Sequence, residues 1–266
     1  FKFLFSLERE GEFEDKVLRI MGMKFVFQKY PGRARVKMSI LFKGHIFNPP
    51  WHSKLDRRRK RGLATQEAVC SYLDRYVPKF SSVGPDEVMP EEQNRIFSIW
   101  LQGEDNAPEI VKACWRSIRR HCSAELVVLD ENTLGDWITL PDHIVDKWKK
   151  GMIRPAHYAD ICRIELLYKY GGLWLDATDY VFADIPQWIM DQDFFVFMSG
   201  NRQRGFYSFI QNCFIRSRRS SYLLKAWREA VHVYWRHEDS AIDYFVHQLL
   251  FKMVVEYNAR AAEYFA

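Results

Sequence analysis

Cysteine is scarce and unpatterned in this chain. Its five cysteines, Cys70, Cys114, Cys122, Cys162 and Cys213, are scattered over 266 residues with no Cys-x-x-Cys pair. An odd, dispersed set excludes a disulfide framework and a zinc knuckle, and points to a reducing, cytoplasmic compartment. Long apolar runs are missing too: none reaches the roughly 18 residues that a membrane-spanning helix requires. The opening FKFLFSLEREGEFEDK turns acidic too early for a secretory signal. It starts at Phe1 rather than Met, and AAEYFA at the other end carries no stop signal, so both ends read as trimmed. No Gly-x-x-x-x-Gly-Lys loop and no Gly-x-Gly-x-x-Gly turn occurs, which argues against P-loop NTPases and dinucleotide enzymes. Internal repeats and low-complexity tracts are absent as well.

What is present is a globular balance, 48% hydrophobic and 27% charged residues. Aromatics reach 16%, a share that suits either a generous core or an aromatic-lined cleft such as sugars use. The formal net charge of +5 is uneven: DRRRKRG, 56–62, holds five cations, and RSRRSS, 216–221, holds three. A solvated basic face explains such runs, and so does attraction to an anionic membrane or to a lipid-linked acceptor. No nucleic-acid motif accompanies them, so a nucleic-acid partner is not expected.

The chain divides into an N-terminal appendage, 1–80, and a regular domain, 90–266. Within the appendage KVLRIMGMKFVF reads as a strand pair or a short amphipathic element, and HIFNPPWH ends it at a Pro-Pro break. A helix is expected over roughly 64–76, then a loop, SSVGPDEVMPEEQ. RIFSIW, 95–100, reads as a buried strand. Pro108 suits the first position of a helix over EIVKACWRSIRRHC, with Ile110, Cys114 and Ile118 as its apolar stripe. AELVVLD, 124–130, follows as a strand, completing a βαβ unit with a parallel sheet. AHYADICRIELLYKY, 156–170, is a second strong helix that buries Ile161, Ile164, Leu167 and Tyr168 and stops at Gly171 and Gly172. LWLDA, FFVFMS and CFIRS supply further strands, and YLLKAWREAVHVYW a further helix. The fold class is α/β, an open Rossmann-like sheet flanked by helices.

Open α/β sheets bind ligands beyond the carboxyl ends of their strands. Asp176 and Asp179 stand at such an end, and Trp100 closes the first strand of the same sheet. Asp160 and Arg163 share a helix face at i, i+3, and the Gly-Gly turn folds that helix back onto the strand carrying Asp176. Oxygen ligands without histidine or cysteine favour Mn²⁺ or Mg²⁺ over zinc, with substrate phosphates completing the shell. The tryptophan offers a stacking face for a base, and the guanidinium offers planar donors to hydroxyls or phosphate oxygens. Metal, diphosphate and base together describe a nucleoside diphosphate. Each residue alone also has a plain reading: a turn-forming aspartate, a surface ion pair, a core indole.

AHYADICRIELLYKYGGLWLDATDY, 156–180, closely resembles the sugar-binding region of glycosyltransferases with a D-x-D motif, in particular capsular polysaccharide synthesis proteins related to glycosyltransferase family 32. IFSIWLQGEDNAPEIVKACWRSIRRHC, NCFIRSRRSSYLLKAWREAVHVYW and AIDYFVHQLLF are similar to other parts of that family, so the likeness covers about 94–255. The resemblance implies a GT-A fold over 90–266 that can continue past Ala266, and a divalent cation. It also implies transfer, with retention, of a hexose from a nucleotide sugar, most often a UDP-sugar, to a capsular or lipopolysaccharide acceptor at the cytoplasmic face of the membrane. By position, Trp100 would stack on the base, Asp160 and Arg163 would hold the donor sugar, and Asp176 would be the first aspartate of D-x-D. The second falls at Thr178, a poorer metal ligand; Asp179 replaces it only if the backbone bulges, since strand neighbours face opposite ways. Gln102 and Asn212 are weaker candidates for ribose or diphosphate and for sugar; His157 reads as a first-turn helix residue beside Asp160. Two other readings stay open, a glycosyltransferase that modifies protein and a sugar-nucleotide-binding module without turnover.

Overall fold

The computed structural model describes residues 5–10, 15–20, 23–29, 36–42, 45–47, 66–80, 83, 94–198 and 209–265. The chain forms two compact units, Phe1–Arg58 and Arg59–Ala266. The basic run 56–62 and the loop 84–93 lie outside the described residues.

The first unit is an antiparallel meander in sequence order: β1 (Phe5–Glu10), β2 (Asp15–Ile20), β3 (Met23–Lys29), β4 (Val36–Phe42) and β5 (His45–Phe47). KVLRIMGMKFVF is thus a strand pair, in register from Lys16↔Phe27 to Ile20↔Met23.

The second unit is built on a five-stranded sheet, β6 (Arg95–Ile99), β7 (Glu125–Leu129), β8 (Gly172–Leu175), β9 (Phe194–Met198) and β10 (Ile210–Ser217), in the order β7-β6-β8-β10-β9. β6 pairs in parallel with β7 and with β8. The sheet is mixed rather than parallel, because β10 runs against both β8 and β9. Helix α1 (Glu109–His121) makes the β6–α1–β7 crossover. Four more helices matter here, α2 (Asp142–Lys149), α3 (Pro155–Tyr170), α4 (Tyr222–His237) and α5 (Val246–Tyr257).

The central strands are buried on both sides, so their sequences are continuous apolar runs whose alternation sorts residues between two faces. Ile96, Leu173 and Leu175 pack against Val111, Trp115 and Ile118 of α1. Phe97, Ile99 and Trp174 face the larger core made with α3, α4 and α5. Each fully buried side chain of this kind contributes about 1.5–3 kcal/mol. The indole of Trp115 is satisfied inside this layer by donating to Ser98 Oγ at 3.2 Å. The stripe on α1 is therefore Val111, Cys114, Trp115 and Ile118; Ile110, expected to be buried, is 69% exposed.

The stretch 66–80, placed by sequence with the appendage, belongs to the second unit: Val69, Leu73, Tyr76 and Phe80 are part of its main core. Helix α3 is buried all round, including Asp160, Arg163 and Glu165. On the side facing α4, Glu165 takes Arg228 Nε at 2.7 and 2.8 Å and His232 Nε2 at 2.6 Å. The Gly-Gly stop after α3 has a steric cause. Gly172 has φ +95, and a Cβ there would lie 2.5 Å from the carbonyl oxygen of Arg95, so only glycine lets β8 enter beside β6. Among the described residues no helix is long and apolar enough to cross a membrane.

Candidate active site

β6 and β8 both end at the same edge of the sheet, and the chain leaving each supplies one wall of a cleft of about 480 Å³. Trp100, Asp160, Arg163, Asp176, Thr178 and Asn212 all line it. A second lobe of about 400 Å³ adjoins through Ile99, Trp100, Ala156 and Ala159, and is lined further by Gln102, Asn106, Pro108 and Pro155. Trp100 stands at the junction. Its amide donates to Leu129 O at 2.9 Å, which fixes where the indole leaves the sheet. Gln102 is exposed at the rim of the second lobe, and its carbonyl accepts from Asn106 Nδ2 at 2.8 Å.

Arg163 is the centre of the polar lobe. Its Nη2 reaches Asp160 Oδ1 at 3.0 Å and Asp176 Oδ1 at 3.1 Å, and its Nη1 donates to the carbonyl of Asn212. The guanidinium lies 4.7 Å from the ring centroid of Trp174, whose Nε1 donates to Asp176 Oδ1 at 2.7 Å. Asn212 Nδ2 donates to Asp160 Oδ1 at 3.0 Å. One arginine thus ties helix α3, the end of β8 and β10 together. The register of β10 shifts between Gln211 and Ile215, and such irregularities re-aim side chains, here bringing Asn212 to Asp160. Asp160 and Arg163 do share a helix face, but it is buried: the pair is no surface salt bridge.

The two carboxylates differ in setting. Burial raises the pKa of Asp160, against the lowering pull of Arg163, His157 and Asn212. Asp176 has a side chain one-third exposed, and its Oδ2 has no protein partner among the described residues. Asp179 reaches Asp176 by a route other than a strand bulge. β8 stops at Leu175, the chain turns with Asp179 N donating to Asp176 O at 2.9 Å, and Asp179 Oδ2 accepts from Asp176 N at 3.2 Å. Burial, reinforced by the charge of Asp176, pushes the Asp179 carboxyl up to about 6. Thr178, at the tip of that turn, is exposed.

No group of three or more Asp, Glu, His or Cys able to hold a metal ion occurs among the described residues. Asp176 lines the cleft, whereas Asp179 is not among its lining residues, so a hard divalent ion beside Asp176 would need substrate phosphates to complete its shell.

Wall residues that escaped the sequence reading include Trp174, Gln211, Tyr244, Phe245 and Gln248. Gln248 had a signal, a polar residue inside the apolar run VHQLLF. His157 is buried outside the lining, with Nε2 at 3.2 Å from Tyr244 O. Arg216 is buried and Arg218 pairs with Asp193 at 2.5 Å, which removes two cations from the basic run 216–221.

The description "Capsular polysaccharide synthesis protein" belongs to a family whose model matches residues 51–266. The chain belongs to this family. A relative, "Glycosyltransferase afumC" of Aspergillus fumigatus (strain CBS 144.89 / FGSC A1163 / CEA10), is 30% identical over 213 residues. The alignment takes in 72% of this chain and 51% of that protein, so this member of the capsular polysaccharide synthesis family spans about half the length of that relative. The solved structure named "PaToxG Glycosyltransferase" aligns with 76% of this chain and 83% of its own at 12% identity. Its TM-score is 0.41, too distant a likeness to carry an argument about the site.

Proposed function

We propose that this chain is a glycosyltransferase, related to family 32, that moves a hexose from a nucleoside-diphosphate sugar, by preference a UDP-sugar, to a hydroxyl of a capsular polysaccharide or lipopolysaccharide acceptor. The observation that carries the reading is that Trp100, Asp160, Arg163 and Asp176 face one cleft at the carboxyl ends of β6 and β8. The name of the Aspergillus relative and the family match point the same way. On this reading Asp176-Ala177-Thr178 takes the place of D-x-D.

Each residue has a task. The indole of Trp100 stacks on the base, an interaction of about 1–3 kcal/mol in single-strand binders. Asp160 and Arg163 hold hydroxyls of the donor sugar, and the bridging of Arg163 to both carboxylates sets them in place before the donor arrives. Asp176, with Asp179 behind it, would hold Mn²⁺ or Mg²⁺ through its outward oxygen. When bound, the ion stabilises negative charge on a departing diphosphate. Arg163 engages Asp160 and Asp176 through their Oδ1 atoms, which on this reading makes them positioning groups and not the nucleophile of a covalent glycosyl-enzyme. Transfer with retention then follows a front-face route. The bond from the anomeric carbon to the β-phosphate oxygen breaks, the acceptor oxygen bonds to that carbon from the same face, and the acceptor proton passes to the leaving phosphate. Work at the cytoplasmic face of the membrane would draw on the basic run 56–62.

Incubating the chain with UDP-glucose, UDP-galactose and UDP-N-acetylglucosamine, with and without Mn²⁺, tests the reading by release of UDP. Release is expected for at least one donor, and Asp176→Asn should lower it at least 100-fold while the melting temperature stays within a few degrees. Unchanged turnover by Asp176→Asn would overturn the assignment. Thr178 in place of a carboxylate favours one second reading, a binding module; donor binding without any UDP release would establish it.

A further inference from the structure

Buried side-chain atoms without hydrogen-bond partners are rare in folded proteins, and each one asks for an explanation. Among the described residues, three of them lie on the walls of one cleft. Trp100 Nε1, Arg163 Nε and Gln248 Oε1 belong to side chains that line the cleft. His157 Nδ1 and His247 Nε2 belong to α3 and α5, the two helices that carry Arg163 and Gln248.

Gln248 stands out among them. It is 6% exposed in the first turn of α5, a helix that also buries Val246, Leu249, Leu250 and Phe251. A methionine of the same length would leave no acceptor unpaired at that position. The amide also sits in a particular half of the cleft. It lines the lobe of Asp160, Arg163, Asp176 and Asn212, and is absent from the lobe beyond Trp100 that Gln102 and Pro108 line. The groups across from it are already committed: Asn212 Nδ2 to Asp160, and both terminal nitrogens of Arg163 to Asp160, Asp176 and the Asn212 carbonyl. A neutral carboxamide brings no charge to a diphosphate, whose negative charge a cation meets better. It has one acceptor and two donors side by side, a match for two neighbouring hydroxyls of a sugar ring.

We propose that Gln248 is a specificity-determining residue of this cleft, its carboxamide hydrogen-bonding ring hydroxyls of the transferred hexose and so selecting which hexose is accepted. The inference rests on the glycosyl-transfer reading above and adds a residue and a subsite to it. A site built to bond a hydroxyl discriminates strongly against sugars that place it elsewhere, because the amide is then left unpaired.

The test uses the full chain and two variants, Gln248→Met, which keeps length and packing without the amide, and Gln248→Asn, which draws the amide back by one carbon. Binding of UDP, UDP-glucose, UDP-galactose and UDP-N-acetylglucosamine is measured by calorimetry, together with the melting temperature of each free protein. UDP should bind all three proteins equally. The UDP-sugar preferred by the parent should bind Gln248→Met 10- to 100-fold more weakly and Gln248→Asn to an intermediate degree, with the preference among the three sugars flattened. Free Gln248→Met should melt at or above the parent temperature, since an unpaired buried acceptor has gone; a purely structural glutamine would give the reverse. Unchanged sugar preference in Gln248→Met, or a loss of UDP affinity equal to the loss for UDP-sugars, overturns the inference while the donor-site reading stands. Failure of the parent to bind UDP and every UDP-sugar overturns that reading and this inference with it.

Discussion

Replacing Arg163 by methionine keeps an unbranched apolar stem over Trp174 and removes the one cation shared by Asp160 and Asp176. The cost can be worked from the surroundings. Removing one partner of a buried ion pair costs about 3–5 kcal/mol, because the other charge stays buried and uncompensated. Asp176 has a side chain 33% exposed and can turn to water, so most of the penalty falls on Asp160, whose side chain is 12% exposed. About 3 kcal/mol is therefore expected at pH 8, a large share of the 5–15 kcal/mol that holds a typical domain. Arg163 lowers the Asp160 pKa, so its loss drives that pKa further up. A raised folded-state pKa removes stability as pH climbs from the unfolded value through the folded one. The deficit should accordingly shrink as pH falls, because a protonated Asp160 no longer needs a cation. Urea unfolding followed by tryptophan fluorescence measures this well, because every tryptophan except Trp51 lies in the Arg59–Ala266 unit. A deficit under about 1 kcal/mol at pH 8, or one that does not change between pH 5 and pH 8, would refute the clamp.

Two further outcomes follow from the same geometry. Asp179→Asn keeps an acceptor for the Asp176 amide and removes a carboxyl whose pKa burial raises from 3.8 to about 6. The parent loses stability across that interval as pH rises, so the variant should match it near pH 4 and exceed it by about 1–2 kcal/mol above pH 6, after discounting two units at 1.36 kcal/mol each for partial exposure. Denaturation midpoints across pH check this, and a variant weaker than the parent at pH 7 would contradict it. Trp100→Ala should weaken UDP binding by about 1–3 kcal/mol, or 5- to 150-fold, by calorimetry; unchanged UDP affinity would place the base elsewhere.

What was legible in the sequence was whatever short-range periodicity controls. The crossover from β6 through α1 to β7, and the passage from α3 through Gly171 and Gly172 into β8, each depend on apolar spacing and a glycine stop within 30 residues, and both are found. The reversal of β10 was not legible, because strand direction is set by partners far along the chain. Ile110 was misjudged because an i, i+4, i+8 set and an i, i+3, i+4, i+7 set overlap on α1, and only packing against Leu173 and Ile96 chooses between them. The boundary after Arg58 was hidden for a similar reason: the apolar face of 66–80 does not announce which core it joins. At the site, the convergence of Trp100, Asp160, Arg163 and Asp176 could be argued from strand ends and helix spacing. The return of Asp179 to Asp176 could not, since it depends on β8 stopping at Leu175 and on a turn that strand alternation does not describe.

The placement of Arg163 and Glu165 on α3 explains how such a site can exist in a stable fold. Residues two apart on a helix face different ways, so Arg163 reaches the strand ends while Glu165 reaches Arg228 and His232 of α4. Glu165 is held at both oxygens and Arg163 at both terminal nitrogens, so α3 is anchored on one side to the helical layer and on the other to β10 and the chain leaving β8. An anchor of that kind removes the freedom by which unpaired atoms would otherwise find partners. Trp100 Nε1, Arg163 Nε and Gln248 Oε1 have no hydrogen-bond partner among the described residues. Their cost to the folded chain, about 1–3 kcal/mol for each buried unpaired group, would be recovered as affinity by a ligand that completed them. On the glycosyl-transfer reading, stabilising substitutions at those positions should therefore weaken donor binding, measured by calorimetry.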